Sequence, residues 1–413
     1  MSISNISEDI IVLISDYVVA MNEDTLEGWK DSLMLLSINN AWRVALLPII
    51  YRRLYSVYHE TNTQKTKSDG KHENTLISHS LKTNLNLVAE SGYANFSKRF
   101  SIDINDKNPT NGLKSIIAKM EKYACNWKHI KSIHAWIKCS YRQDLEDPSN
   151  IKALNLKAGN VVDALFKLMP RIVKLNLSQA AENCDTKIIF EKLAEAYSGQ
   201  ATRLVCNRPL LISRTCYFSG LAYLKIKMDS RLSHQIPIVC AESLQYLSID
   251  NLPINSMWPA INENDKIRRV EFLNLHSLHI SFIGHRQSAL EDEGHTQSKT
   301  TSMIFPKLSC LSVQNIDGFY SLINRAVFPK RISKLRLTGK LEDYGLLNKK
   351  MLPTVARLLL TIISVDGNSN GMFDAINNLA WKGQERTALE ILATGGVEFD
   401  ISKELTDKCK HNA

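Results

Sequence analysis

One six-residue pattern, an apolar residue followed by x-x-Leu-x-apolar, returns nine times between Ile151 and Leu360 and constrains the fold more than any other feature. The copies centre on Leu154, Leu175, Leu204, Leu224, Leu247, Leu273, Leu311, Leu335 and Leu358. In an extended strand the Leu and the residue two later share a face, and the residue three earlier packs at the turn entering the strand. One such unit cannot bury its apolar side alone, so neighbours must stack into a continuous core.

Consecutive central leucines lie 20 to 29 residues apart, except for the 38 between Leu273 and Leu311. That is the period of leucine-rich repeats. The long step holds the polar, aperiodic stretch 284–302, which reads as a loop inserted into one repeat. Between strands, 160–169 (NVVDALFKLM) has helical spacing and stops at Pro170, and 187–197 (KIIFEKLAEAY) is followed by Gly199. The expected fold class is therefore α/β: a leucine-rich repeat solenoid over residues 96–365, with parallel strands on the concave face and helices on the convex face.

Residues 99–104 and 130–137 alternate as strands around a helix at 112–124, as degenerate first repeats should. Residues 59–74 carry no apolar side chain, so 59–95 reads as a polar linker and entry segment. Beyond Leu360 the pattern dissolves; 372–381 and 385–392 read as helices of a C-terminal cap and tail, 366–413.

The first 58 residues read as three helices. Ile6, Ile10, Leu13, Ile14, Tyr17 and Val18 form one apolar face of the first, and Ile11 and Val12 lie on its other side, where they need a cover. Further helices follow at 29–37 and 41–58, the second interrupted by Pro48. Residues 1–60 hold four Lys and Arg against eight Asp and Glu, a net of −4 within a chain of net charge +9. The remainder therefore carries +13, and the two regions should meet different partners.

Glu8-Asp9-Ile10, Leu35-Leu36-Ser37, Trp42-Arg43, Leu47-Pro48 and Tyr51-Arg52, with leucine-rich repeats behind them, resemble an F-box protein of the divergent form abundant in fungi. The resemblance implies an all-α three-helix module at 1–58 that grips the adaptor subunit of a cullin-RING (SCF-type) ubiquitin ligase. Ile6, Ile10, Ile14, Leu36, Trp42 and Tyr51 would face that adaptor. The repeats would hold a target protein for ubiquitination, making the chain a substrate receptor. The family usually opens on Leu-Pro where this chain has Ile6-Ser7, and 21–28 is longer than its usual loop. Read without the resemblance, the helices cap the first repeat and the chain is a scaffold.

Residues flanking the central leucines point away from the core. The target-binding candidates are Asn176, Tyr223, Lys225, Tyr246, Phe272, Asn274, Lys334 and Arg336, with Tyr223, Tyr246 and Phe272 in the same slot of successive repeats. Exposed aromatics beside cations suit a protein interface, and equally suit aromatic pairing across a sheet. Nucleic acid is disfavoured, because acids dilute the basic charge and no Lys/Arg run occurs.

Gly367-Asn368-Ser369-Asn370-Gly371 matches G-x-S-x-G, but only His411 follows it, so it reads as a turn. No catalytic, cofactor or metal motif is expected. The eight cysteines form no C-x-x-C pair and read as reduced thiols of the cytosol or nucleus. No apolar run is long enough for a membrane span.

Overall fold

The computed structural model describes residues 10–14, 17, 26–63, 76–123, 127–139, 148–180, 184–208, 218–228, 240–254, 262–263, 266–267, 269–283, 303–339, 354–362 and 388–393. The chain forms two compact units, residues 1–221 and 222–413, each built on a mostly parallel sheet with helices, an α/β architecture. Among the described residues no helix is long and apolar enough to cross a membrane.

The first unit runs α1 (Leu26–Leu33), α2 (Asn40–Ile50), β1 (Arg53–Thr63), β2 (Leu76–Thr83), α3 (Leu85–Glu90), β3 (Arg99–Asn105), α4 (Pro109–Glu121), β4 (Ser132–Lys138), α5 (Pro148–Leu168), β5 (Lys174–Gln179), α6 (Cys184–Ala196) and β6 (Arg203–Cys206). Its strands lie in the order β2-β1-β3-β4-β5-β6. The β1–β2 pair is antiparallel and the rest are parallel. One register row joins Leu54, Phe100, Ile133, Leu175 and Leu204, each no more than 1% exposed. The next row on that face joins Ser56, Ile102, Ala135, Leu177 and Cys206, all buried. Helices α4, α5 and α6 pack side by side and contribute Ile116, Met120, Val162, Leu165, Phe190 and Leu193 to the core.

The second unit runs β7 (Tyr223–Lys227), β8 (Tyr246–Pro253), β9 (Ser277–Ile283), β10 (Cys310–Gln314), α7 (Ile316–Arg325), β11 (Arg331–Gly339), β12 (Thr354–Ile362) and β13 (Ala388–Ala393), with a few two-residue strands between. These seven strands are neighbours in chain order, all parallel. Leu224, Leu247, Leu278, Leu311, Leu335, Leu358 and Leu389 form one register row, and Ile226, Ile249, Ile280, Val313, Leu337, Leu360 and Ile391 the next. Asn251 (φ 62°) sits where β8 inserts one residue against β9, a bulge that Asn tolerates in the left-handed region.

Five sequence expectations change. Ile151, Leu154 and Leu156 lie on α5, not on a strand. Ala158, Val162, Leu165 and Met169 recur there at helical spacing and are buried, so a longer 3.6-residue pattern outweighs one six-residue match. The copy centred on Leu273 is displaced: Leu273 sits in a turn, 42% exposed, and the rung is Leu275/Leu278/Ile280 on β9. The helix expected through Tyr58 ends at Ile50, and alternating Leu54, Ser56 and Tyr58 enter the sheet core through β1. That strand extends to Thr63 and pairs with β2, so residues 59–63 are sheet instead of linker.

Lastly, 388–393 is a strand that overlaps the expected helix 385–392. Arg386 stands where the six-residue pattern asks for an apolar residue, which hid this copy. By contrast β3, β4, α4 and α6 fall where the residue patterns place them. Residues 284–302, 367–371 and 372–381 lie outside the described residues.

Candidate functional site

In the first unit, the residues alternating with the core rows form a cationic band. Arg53, Arg99, Ser132, Lys174 and Arg203 are register partners across five adjacent strands. Strands are spaced about 4.8 Å apart, so the row spans roughly 19 Å. One residue earlier, Arg52, Lys98 and Lys131 stand at the strand entrances. The Arg52 carbonyl accepts from the backbone N–H of Lys98 (2.8 Å) and Arg99 (3.1 Å), and the Lys98 carbonyl does the same for Lys131 and Ser132. These residues border a cleft of ≈ 540 Å³, closed on another side by Trp29, Ser32, Ile49 and Ile50. Trp29 is held there by donating Nε1–H to the Ile50 carbonyl at 2.8 Å.

Arg53 is the deepest of these cations, 6% exposed. The Asn84 side chain fixes its strand end, accepting from the Tyr55 N–H (2.8 Å) and donating to the Arg53 carbonyl (3.1 Å). Arg53 Nη1 donates to the Tyr55 hydroxyl at 3.2 Å. His134, one row further along, accepts at Nδ1 from the Arg99 guanidinium, with Asn176 Nδ2 at 3.4 Å from the same nitrogen. A guanidinium can only donate, so the neutral ring carries its proton on Nε2. Burial, then Arg99, Arg53 and Arg203, depress the His134 pKa to about 3. The imidazole is thus a neutral member of the cluster at physiological pH.

In the second unit, Tyr223 and Tyr246 are register partners whose rings stack 4.2 Å apart and parallel within 1°. Burial, with the Tyr223 hydroxyl next in weight, raises the Tyr246 phenol to about 12. Lys225 lies 3.8 Å from Asp250. His279 follows on the other side of Tyr246, its ring 5.1 Å away and tilted by 32°. Burial lowers the His279 pKa, followed by Arg336, Lys225 and Lys334, so three of the expected basic residues converge on a histidine that the leucine pattern did not single out.

Other expected residues separate from this group. Phe272 does not share the tyrosine slot, which Ser277 fills. Phe272 is fully buried and stacks on Phe305 at 5.1 Å, which stacks on Phe328 at 5.7 Å. Asn274 is on the adjoining turn, donating to the Glu242 carbonyl and accepting from Lys307, each at 2.8 Å. Asn176 belongs to the first unit, beside His134.

Of the expected adaptor-facing residues, Ile10 and Ile14 are exposed, at 49% and 38%, with Leu13 and Tyr17 on the same helical face, and Ile11 is turned inward at 1%. The side of this helix that carries Ile11, expected to need a cover, is the covered one. Leu36 is half-buried in the 3-10 turn Met34–Ser37. Trp42 and Tyr51 are each 5% exposed. Tyr51 packs edge-on to Trp29 and 4.8 Å from Tyr93. Ile6 lies outside the described residues.

The cationic band escaped sequence reading, although a signal exists: Arg53-Leu54, Arg99-Phe100, Lys174-Leu175 and Arg203-Leu204 each put a cation just before a core residue. Among the described residues no group of three His, Cys, Asp or Glu side chains could hold a metal. No protein-family model matches this chain, and neither a curated protein nor a solved structure matches it.

Proposed function

We propose that the chain is a non-catalytic recognition protein: a leucine-rich repeat solenoid that holds a target protein on its strand face and an F-box-like N-terminal segment that docks the adaptor subunit of an SCF-type ubiquitin ligase. The observation that carries the docking half is the helical face Ile10, Leu13, Ile14 and Tyr17, whose i, i+3, i+4, i+7 spacing leaves four large apolar side chains in solvent while Ile11 faces inward. An apolar stripe of this kind is costly to leave wet and is the usual means by which a helix binds a partner groove. The register-matched leucine rows support the repeat reading, since each strand buries its apolar side only against its neighbours. On the second unit, Tyr223, Tyr246, Lys225, Lys334 and Arg336 provide the aromatic and cationic side chains that interface centres favour.

The test mixes the full chain with the purified adaptor. A complex that Ile10→Asp/Ile14→Asp abolishes, with an unchanged melting temperature, supports the reading. No complex, or one the double variant leaves intact, removes the ligase role and leaves a repeat scaffold. Trp42 is unsuitable for this test, because its burial makes any substitution a stability change.

A further inference from the structure

We propose that the cationic cleft of the first unit is a binding site for a small ligand carrying several phosphate groups, separate from any protein-binding role of the second unit and independent of the ligase reading. Three observations converge. The cleft is bordered by four arginines and three lysines, with no Asp or Glu among its described lining residues. The cations are set by backbone register instead of by flexible loops: Arg53, Arg99, Lys174 and Arg203 hold fixed places in one row, a preorganised array that several anionic groups can bridge at once. The cleft volume, ≈ 540 Å³, is that of a small-molecule site.

Placement of the arginines favours a small ligand over an extended polymer. Arg53 is buried at the floor, where a compact anion can enter but a duplex surface cannot reach. Arg99 is half-buried and oriented by its hydrogen bond to His134, while Lys174 and Arg203 are exposed at the rim. Guanidinium groups receive phosphate oxygens in a bidentate fork, and the neutral His134, protonated on Nε2, supplies a further donor without adding charge. Like charges gathered at this spacing repel one another, and a bound polyanion offsets that repulsion.

The probe is inorganic tripolyphosphate, titrated calorimetrically into the full chain at about 0.15 M salt, where interactions between exposed charges beyond about 8 Å are screened. The expected result is saturable binding to one site and a raised melting temperature. Lys174→Gln/Arg203→Gln should weaken the affinity at least tenfold and keep the ligand-free melting temperature. Lys114→Gln, which removes one exposed positive charge on α4, outside the cleft, should leave affinity unaltered. Absence of saturation, or equal weakening by Lys114→Gln, overturns the site. Single-stranded oligonucleotide bound through Lys174 and Arg203 when tripolyphosphate is not overturns the ligand class.

Discussion

The phenol rings of Tyr223 and Tyr246 lie face to face, 4.2 Å apart and parallel within 1°, at directly paired positions of adjacent parallel strands. Cross-strand aromatic pairs stabilise a sheet by roughly 0.2–1 kcal/mol. A double-mutant cycle of Tyr223→Ala and Tyr246→Ala, read by urea denaturation, should return a coupling of about that size. A coupling of zero would show that the two rings act only through separate burial. Tyr223→Phe should also lower the Tyr246 phenol from about 12 in an absorbance titration, because the neighbouring hydroxyl contributes to its elevation.

The assignment of the repeat register to Leu278 instead of Leu273 makes a sharp stability prediction. Leu278 is fully buried in the core row, and Leu273 is 42% exposed in the preceding turn. Leu278→Ala should cost about 2–5 kcal/mol, the range for a buried leucine, and Leu273→Ala no more than about 0.5 kcal/mol. Equal losses would contradict the register.

His134 gives the fold a pH dependence of known sign. Its native pKa is held at about 3, against an ordinary value of 6.5, so below pH 6.5 the unfolded chain takes up a proton that the native state refuses. Its contribution to stability is flat above about pH 6.5 and falls as pH drops from there toward 3. His134→Gln should flatten the change in urea midpoint between pH 7 and pH 5; an unaltered slope would place the titration elsewhere.

Gly318, in the first turn of α7, leaves no space for a side chain. A Cβ there would fall 2.1 Å from Phe282 ring carbons of β9. Gly318→Ala gains helix propensity but must displace a buried phenylalanine, so a net loss of about 1–3 kcal/mol is expected, measured by thermal melting. Gly318→Ala with Phe282→Leu should recover part of it.

What the residues disclosed in advance follows from how each kind of information is encoded. Parallel strands buried through one face advertise themselves by period two, and Leu175, Leu204, Leu224, Leu247, Leu311 and Leu335 all sit in core rows as the spacing demands. Where two periodicities overlap, as around Leu154, a short match is outweighed by a longer helical stripe. Where two leucines compete, as at Leu273 and Leu278, the sequence contains both patterns and pairing with β8 and β10 chooses between them. The tyrosine stack needed only one register, so it was visible early. The cationic row needed five registers at once, and no single stretch of chain reveals that Arg53 and Arg203 share it.

The antiparallel pairing of β2 with β1 has a consequence for how far this arrangement extends. Every other pairing in the first unit's sheet is parallel, so another strand of the same kind would need a parallel neighbour at that margin. It meets instead a strand of opposite polarity bearing Ser78, His79, Ser80 and Lys82, poor company for an incoming apolar segment. The hairpin therefore acts as a terminator, limiting the number of strands by direction of travel and discouraging end-to-end polymerisation of whole molecules.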